Sequence, residues 1–221
     1  MNRKRSAGFT IVELLIATLV FTIVLLICLE SVSRIGRMYY KGITEANAQQ
    51  VVRGLSNEFT QQIQFGPEVP SGTLPTTGRP GGGIQRFCIG DYMYKVTMNR
   101  TLGDDGVSSV LKRAKFDTAL STCPTTDVAF DNQFNIDTKS SELAAPGMRV
   151  LKLSVGHPDA TNPYLWAVSI RIAVGDYDLI DYGGSPDDPT NYEKAKCRSQ
   201  DSGTQFCSVN ELNSTIVRRI H

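Results

Sequence analysis

Glu13 sits in a run where a carboxylate is out of place. In "GFTIVELLIATLVFTIVLLICL" it is the only ionisable side chain between Phe9 and Leu29 apart from Cys28. A charge left alone in hydrocarbon is costly, so Glu13 either reaches towards the headgroups or meets a cationic partner. A second chemistry belongs to the cysteines. Of the 5 in the chain, Cys28 lies in the apolar run and Cys88, Cys123, Cys197 and Cys207 lie beyond it. Those four make either two disulfides or a thiolate zinc site, although their spacings contain no C-x-x-C pair. Sequence proximity favours pairing Cys88 with Cys123 and Cys197 with Cys207. A third chemistry lies in "GDYDLIDYGGSPDDP", which gathers Asp176, Asp178, Asp181, Asp187 and Asp188 among glycines and prolines. Such a loop is either a solvated acidic surface or a set of hard oxygen ligands for calcium, though the spacing is not that of an EF-hand. His157 and His221 have no convergent partners for metal or nucleophilic chemistry. Gly81, Gly82 and Gly83 precede no Lys-Ser/Thr pair, so they make no phosphate loop. Nothing in this inventory assembles an acid, a base and a nucleophile. The expectation is a protein that is not an enzyme and needs no cofactor.

The elements that must position these residues follow from composition and periodicity. The 221 residues are 41% hydrophobic, and 23 Lys+Arg balance 22 Asp+Glu. That balance gives none of the basic surface expected of a nucleic-acid-binding domain. The apolar residues are concentrated at one end. Phe9 to Leu29, at about 1.5 Å per helical residue, covers a hydrocarbon core of about 30 Å. It is too long for a secretory h-region, and no small-x-small cleavage site follows it at Glu30. Arg3, Lys4 and Arg5 precede the span while Arg34, Arg37 and Lys41 follow it, so charge alone leaves the topology open.

A short basic leader ending at Gly8, then Phe9-Thr10-x-x-Glu13-Leu-Leu and an unbroken apolar helix, resembles the class III signal of type IV prepilins and type II secretion pseudopilins. The resemblance implies cleavage after Gly8 by a membrane-embedded prepilin peptidase on the cytoplasmic side. It implies N-methylation of Phe9, which becomes the mature N-terminus. It makes Glu13 the carboxylate that pairs, in a filament, with the freed amine of a neighbouring subunit. It implies as partners the peptidase, other pilin or pseudopilin subunits, and an inner-membrane assembly platform driven by an ATPase. It places the chain first in the inner membrane as a single pass with a cytoplasmic N-terminus, then in a periplasmic or extracellular filament. A domain exported in that way meets oxidising conditions, which favour disulfides. The Cys197–Cys207 loop is similar to the disulfide-bounded loop near the C-terminus of many pilins.

Beyond the span, Val32, Ile35, Tyr39, Ile43, Ala46, Val52, Leu55, Phe59 and Ile63 recur at steps of three or four, apart from a gap around Gln49 and Gln50. This predicts an amphipathic stalk helix reaching about Gln64, whose second half packs a globular domain. With no proline before Pro67, any kink belongs to Gly36, Gly42 or Gly54. "FGPEVPSGTLPTTGRPGGGIQ" then reads as a loop. Alternation resumes in "QRFCI", "YMYKVTM" and "SVLKRAKF". "MRVLKLSVG" and "YLWAVSIRIAVG" read as an antiparallel hairpin, and "STIVRRI" closes the sheet.

The expected organisation is a leader (residues 1–8), a transmembrane helix (9–29), a stalk helix (30–64), a Gly/Pro-rich loop (65–84) and a β-rich extracytoplasmic domain (85–221). The fold class is α+β, a long N-terminal helix packed on an antiparallel sheet, which is also the pilin fold that the resemblance implies. The size of the globular part, its four cysteines and the "FCSVNEL…TIVRR" ending are more similar to a minor pilin or J-type pseudopilin than to a major pilin. Motility, adhesion, DNA uptake and secretion all stay open as the filament's task. The rival reading is a signal-anchored envelope protein whose external domain binds a solute or catalyses a reaction.

Overall fold

A computed structural model of the chain describes residues 10–67, 74–79, 82–104, 106–115, 123–136, 140–159, 161–162, 164–198 and 203–219. Helix α1 runs from Ile11 to Phe65 without interruption at Gly36, Gly42 or Gly54. Two compact units divide the chain, residues 1–40 and 41–221. In the first, every large apolar side chain of α1 is exposed, from Ile11 to Tyr40.

The second unit is α+β. Strands β1 (Leu74–Arg79), β2 (Gly82–Ile89), β3 (Tyr92–Thr97), β4 (Leu111–Lys115) and β5 (Ser141–Glu142) form an antiparallel sheet in chain order. A second antiparallel sheet has the order β10-β7-β6, with β6 at Met148–Gly156, β7 at Leu165–Val174 and β10 at Ser208–Val217. A small pair joins β8 (Ile180–Asp181) to β9 (Lys196–Cys197).

The helix meets the sheets through a stripe at helical spacing. Ala48, Val52, Leu55, Phe59 and Ile63 are buried, in one cluster with Phe87, Tyr94 and Val96 of the first sheet and Val150, Leu153, Trp166, Val168, Ile170 and Ile172 of the second. The alternation predicted for β6 and β7 is therefore a core face. Phe59 lies 5.2 Å from the Tyr94 ring and 6.2 Å from Phe87, centroid to centroid. A polar clasp flanks this contact: the Tyr94 hydroxyl donates to Glu58 Oε1 at 3.0 Å and Arg113 Nη1 donates to the same oxygen at 2.6 Å. Burial, then the adjacent Glu58 charge, pushes the Tyr94 phenol far up, so it remains a hydrogen-bond donor at any physiological pH.

Three expectations are corrected. Residues 65–84 are not all loop, since β1 and the start of β2 lie there. β1 is an edge strand with an irregular register between Leu74 and Thr77, where Pro75 is tolerated because no outer neighbour needs its missing N–H. The stripe packs the domain through its second half, as expected, but with Ala48 rather than Ala46 buried, while Val32, Ile35 and Tyr39 in the first half are about two-thirds exposed. The last strand begins at Ser208, ahead of the run "STIVRRI".

Helix α2 (Asp127–Ile136) was not expected. Thr126 Oγ1 accepts from Ala129 N at 3.3 Å and starts it, and Phe130 and Phe134 are buried one turn apart. These rings form a separate cluster with Met93, Ala114 and the Cys88–Cys123 disulfide. Asp131 fixes the helix: Arg86 Nη2 donates to it at 2.8 Å and Lys95 Nζ lies 2.9 Å away. Burial works to raise the Asp131 carboxyl, but the hydrogen bonds and charges of Arg86 and Lys95 outweigh it and hold it below its ordinary value. A depressed carboxyl stabilises the fold above its unfolded pKa of about 3.9 and ceases to do so as pH falls through the folded value. Asp131 is partly exposed, so the expected contribution is about 1 kcal/mol. Melting temperatures of wild type and Asp131→Asn, compared from pH 7 down to pH 2, should converge. A gap that stays constant across that range would remove Asp131 as the cause.

Candidate functional site

The chemistry is concentrated at the start of α1. Thr10 and Glu13 form a reciprocal cap: Glu13 N donates to Thr10 Oγ1 at 3.2 Å, and Thr10 N and Oγ1 both donate to Glu13 Oε2 at 3.0 Å. This is the T-x-x-E capping box, and it also places the carboxylate at the positive end of the helix dipole. Glu13 Oε1 has no partner among the described residues. The arrangement therefore solves the problem of a carboxylate in an apolar segment in two parts. One oxygen is satisfied within the chain, and the other remains available to an external donor. Thr10 was not singled out from the sequence, although its spacing from Glu13 was the available signal. Gly8 and Phe9, the expected cleavage junction and methylated terminus, lie outside the described residues.

From Ile11 the helix presents apolar side chains on every face and is long and apolar enough to cross a membrane. Its hydroxyls are turned onto its own backbone: Thr18 donates to the Leu15 carbonyl at 3.0 Å, Thr22 to Thr18 at 2.7 Å and Ser31 to Ile27 at 2.8 Å. Hydroxyls satisfied within the helix leave no unmet polar demand towards hydrocarbon. The apolar stretch ends at the exposed Glu30–Arg34 pair, one helical turn apart. Cys28 is free and exposed.

The other candidate residues do not converge into a site. Cys88–Cys123 and Cys197–Cys207 are disulfides with Cα–Cα distances of 5.9 and 5.8 Å, so these thiols are not arranged for zinc. In the acidic loop the aspartates serve local turns. Asp188 accepts from Thr190 N at 3.0 Å and caps a 3-10 helix, Pro189–Lys194. Asp181 accepts from Gly183 N and faces Lys196 at 3.8 Å. Asp176 precedes the short 3-10 helix Tyr177–Leu179 without a side-chain cap. Neither Asp178 nor Asp187 joins them, and no three His, Cys, Asp or Glu side chains are grouped to hold a metal among the described residues. His157 Nδ1 lies 3.0 Å from the Leu165 carbonyl and its ring packs 4.1 Å from Trp166. His221 lies outside the described residues.

No curated protein and no solved structure matches the chain. Residues 3–29 match the family described as the prokaryotic N-terminal methylation motif. With Glu13 capped by Thr10 at the head of an exposed apolar helix, this chain carries the prepilin-type signal of type IV pilins and pseudopilins.

Proposed function

We propose that the chain is a structural subunit, of the minor pilin or minor pseudopilin kind, in a type IV pilus-like filament, and not an enzyme. The observation that carries this reading is the methylation motif at residues 3–29, in register with a capped apolar helix whose second half carries a disulfide-bonded α+β domain. The span holds the precursor in the inner membrane with its N-terminus in the cytoplasm. Prepilin peptidase cuts between Gly8 and Phe9 and methylates the Phe9 amine, which keeps its charge. An assembly platform then moves the subunit out of the bilayer, and its apolar helix exchanges lipid for the helices of other subunits.

Intact-mass measurement tests this directly. In a host that has the peptidase, wild type should have the mass of a chain starting at N-methylated Phe9. Gly8→Leu should retain the leader, because a branched side chain replaces hydrogen at the cleavage subsite. Wild-type protein that still begins at Met1 in that host would refute the reading.

A further inference from the structure

The two edges of the β10-β7-β6 sheet are finished very differently. The β6 edge is closed. It carries a bulge between Val150 and Lys152, residues 98 and 99 attach to it through a Met98–Val150 bridge and an Asn99 N–H to Val150 carbonyl bond of 2.8 Å, and Glu193 of the 3-10 helix pairs with Lys152. Among the described residues the β10 edge has no bulge and no backbone-bonded outer neighbour, and β9 lies against it, tied by the Cys197–Cys207 disulfide to the residue before β10. Its 10 residues pair with β7 in an unbroken register from Ser208↔Val174 to Val217↔Leu165. It contains no proline and no lysine, and its only charge, Glu211, is engaged by Arg171. Glu211, Asn213, Thr215 and Val217 are exposed, and no described residue bonds to the outward side of the strand from Val209 to Val217. Folded proteins normally blunt a long, straight edge with a bulge, a lysine, a proline or a cover. Among the described residues one edge of the sheet is blunted in several ways, while the other is left unbonded from Val209 to Val217.

We infer that the β10 edge is a docking strand, to which an extended segment of a different polypeptide adds as the next strand of the sheet. An alternating row of outward N–H and C=O groups is matched by another extended backbone. The incoming strand would carry apolar residues at alternate positions, to lie beside the half-buried Leu212 and the buried Ile216 on the core face. Among the described residues this chain offers no matching donor edge. β5, β8 and β9 are two residues long, β1 is irregular and contains Pro75, and β6 is covered. Two copies joined β10 to β10 would form a closed pair, whereas a filament grows by contacts between unlike surfaces. Placing the donor in another subunit rests on the filament reading above; the openness of the edge does not.

Hydrogen exchange resolved along the full chain tests this, with detergent-solubilised subunit compared to sheared filaments and to native membranes. Alternate amides of Val209–Val217 should exchange about tenfold or more slowly in the assembled state, with β6 unchanged. Leu212→Lys, which sets a charge against the incoming strand, should keep both disulfides and abolish the slowing. Equal β10 rates in filaments and in free subunit would overturn strand addition and leave the filament reading standing. Slowing in membranes with the chain absent from filaments would keep strand addition and overturn the filament reading. Slowing that appears in purified subunit alone, with a doubling of mass as concentration rises, would assign the edge to a second copy and overturn the donor named here.

Discussion

Glu13→Ala is expected to remove this chain from sheared filaments while leaving its amount in the membrane unchanged. In the free subunit the carboxylate is a helix cap, held by the Thr10 N–H and hydroxyl. Losing it there loosens only the first turn of a helix whose apolar length is enough to cross a membrane without it. Residues 41–221 are a separate compact unit and should not register the change. On the filament reading proposed above, assembly changes the balance: packed helices would exclude water and a neighbour's Phe9 ammonium would make the charged pair favourable. Either partner alone would be left uncompensated, so incorporation should fall about a hundredfold or more. Thr10→Val separates the two roles, since it removes the hydroxyl of the cap and keeps the carboxylate. It should enter filaments at close to the wild-type level. The measurement is the ratio of filament to membrane protein for each variant. If Glu13→Ala entered filaments as wild type does, pairing at Glu13 would have no part in assembly, and if Thr10→Val failed as completely as Glu13→Ala, the cap rather than the charge pair would be what assembly requires.

Which parts of this molecule could be read from the sequence depends on whether the decisive neighbour is near in the chain. Val52, Leu55, Phe59 and Ile63 were legible because a 3.6-residue period marks a buried face, and Val150, Leu153, Val168 and Ile170 because alternation marks a sheet face. The same helical period runs through Val32, Ile35 and Tyr39, which are exposed. Periodicity identifies a face without saying what covers it. Ala48 was missed because so small a side chain contributes little to the pattern beside Gln49 and Gln50. α2 was missed because ten residues are too few to set a period, and its place on the sheet depends on Arg86 and Lys95, far away in sequence. The Cys197–Cys207 pairing agrees with proximity because that loop is local, with a separation of 10, and Cys88–Cys123, 35 apart, is the pair that remains. At the N-terminus the Glu13 carboxylate was conspicuous in an apolar run, while its cap was hidden by attention to charge: Thr10 is one step from the junction and three from Glu13. The openness of β10 has no sequence signature at all, because which strand lies at an edge is a property of strand order.

Phe59→Ala is the substitution expected to damage the α+β domain most. Phe59 is fully buried, and its ring packs against Tyr94 and Phe87 of the first sheet. Truncation removes that area and leaves a cavity beside two large rings on a sheet that cannot close up to fill it. The expected loss is about 3–5 kcal/mol, a large share of the roughly 5–15 kcal/mol available to a domain. With a urea dependence of about 2 kcal/mol per molar, the unfolding midpoint should fall by about 2 M. Phe65→Ala is the control. Phe65 closes the same helix but is 57% exposed, with Arg219 over its ring at 5.2 Å, so its midpoint should move by less than about 0.5 kcal/mol in equivalent terms. Both disulfides lie away from Phe59, one on the far side of the first sheet and one just before β10. The variant should therefore still form them, and non-reducing alkylation should still label Cys28 alone. Covalent staples would then be intact while the domain unfolds around them, which separates what the cysteines hold from what the helix holds. On the filament reading proposed above, a subunit whose α1 no longer grips its sheets would present its span normally but carry a loosened domain into the filament. Equal midpoints for Phe59→Ala and Phe65→Ala would mean that the helix is not what organises the two sheets, and the core would have to be sought between the sheets alone.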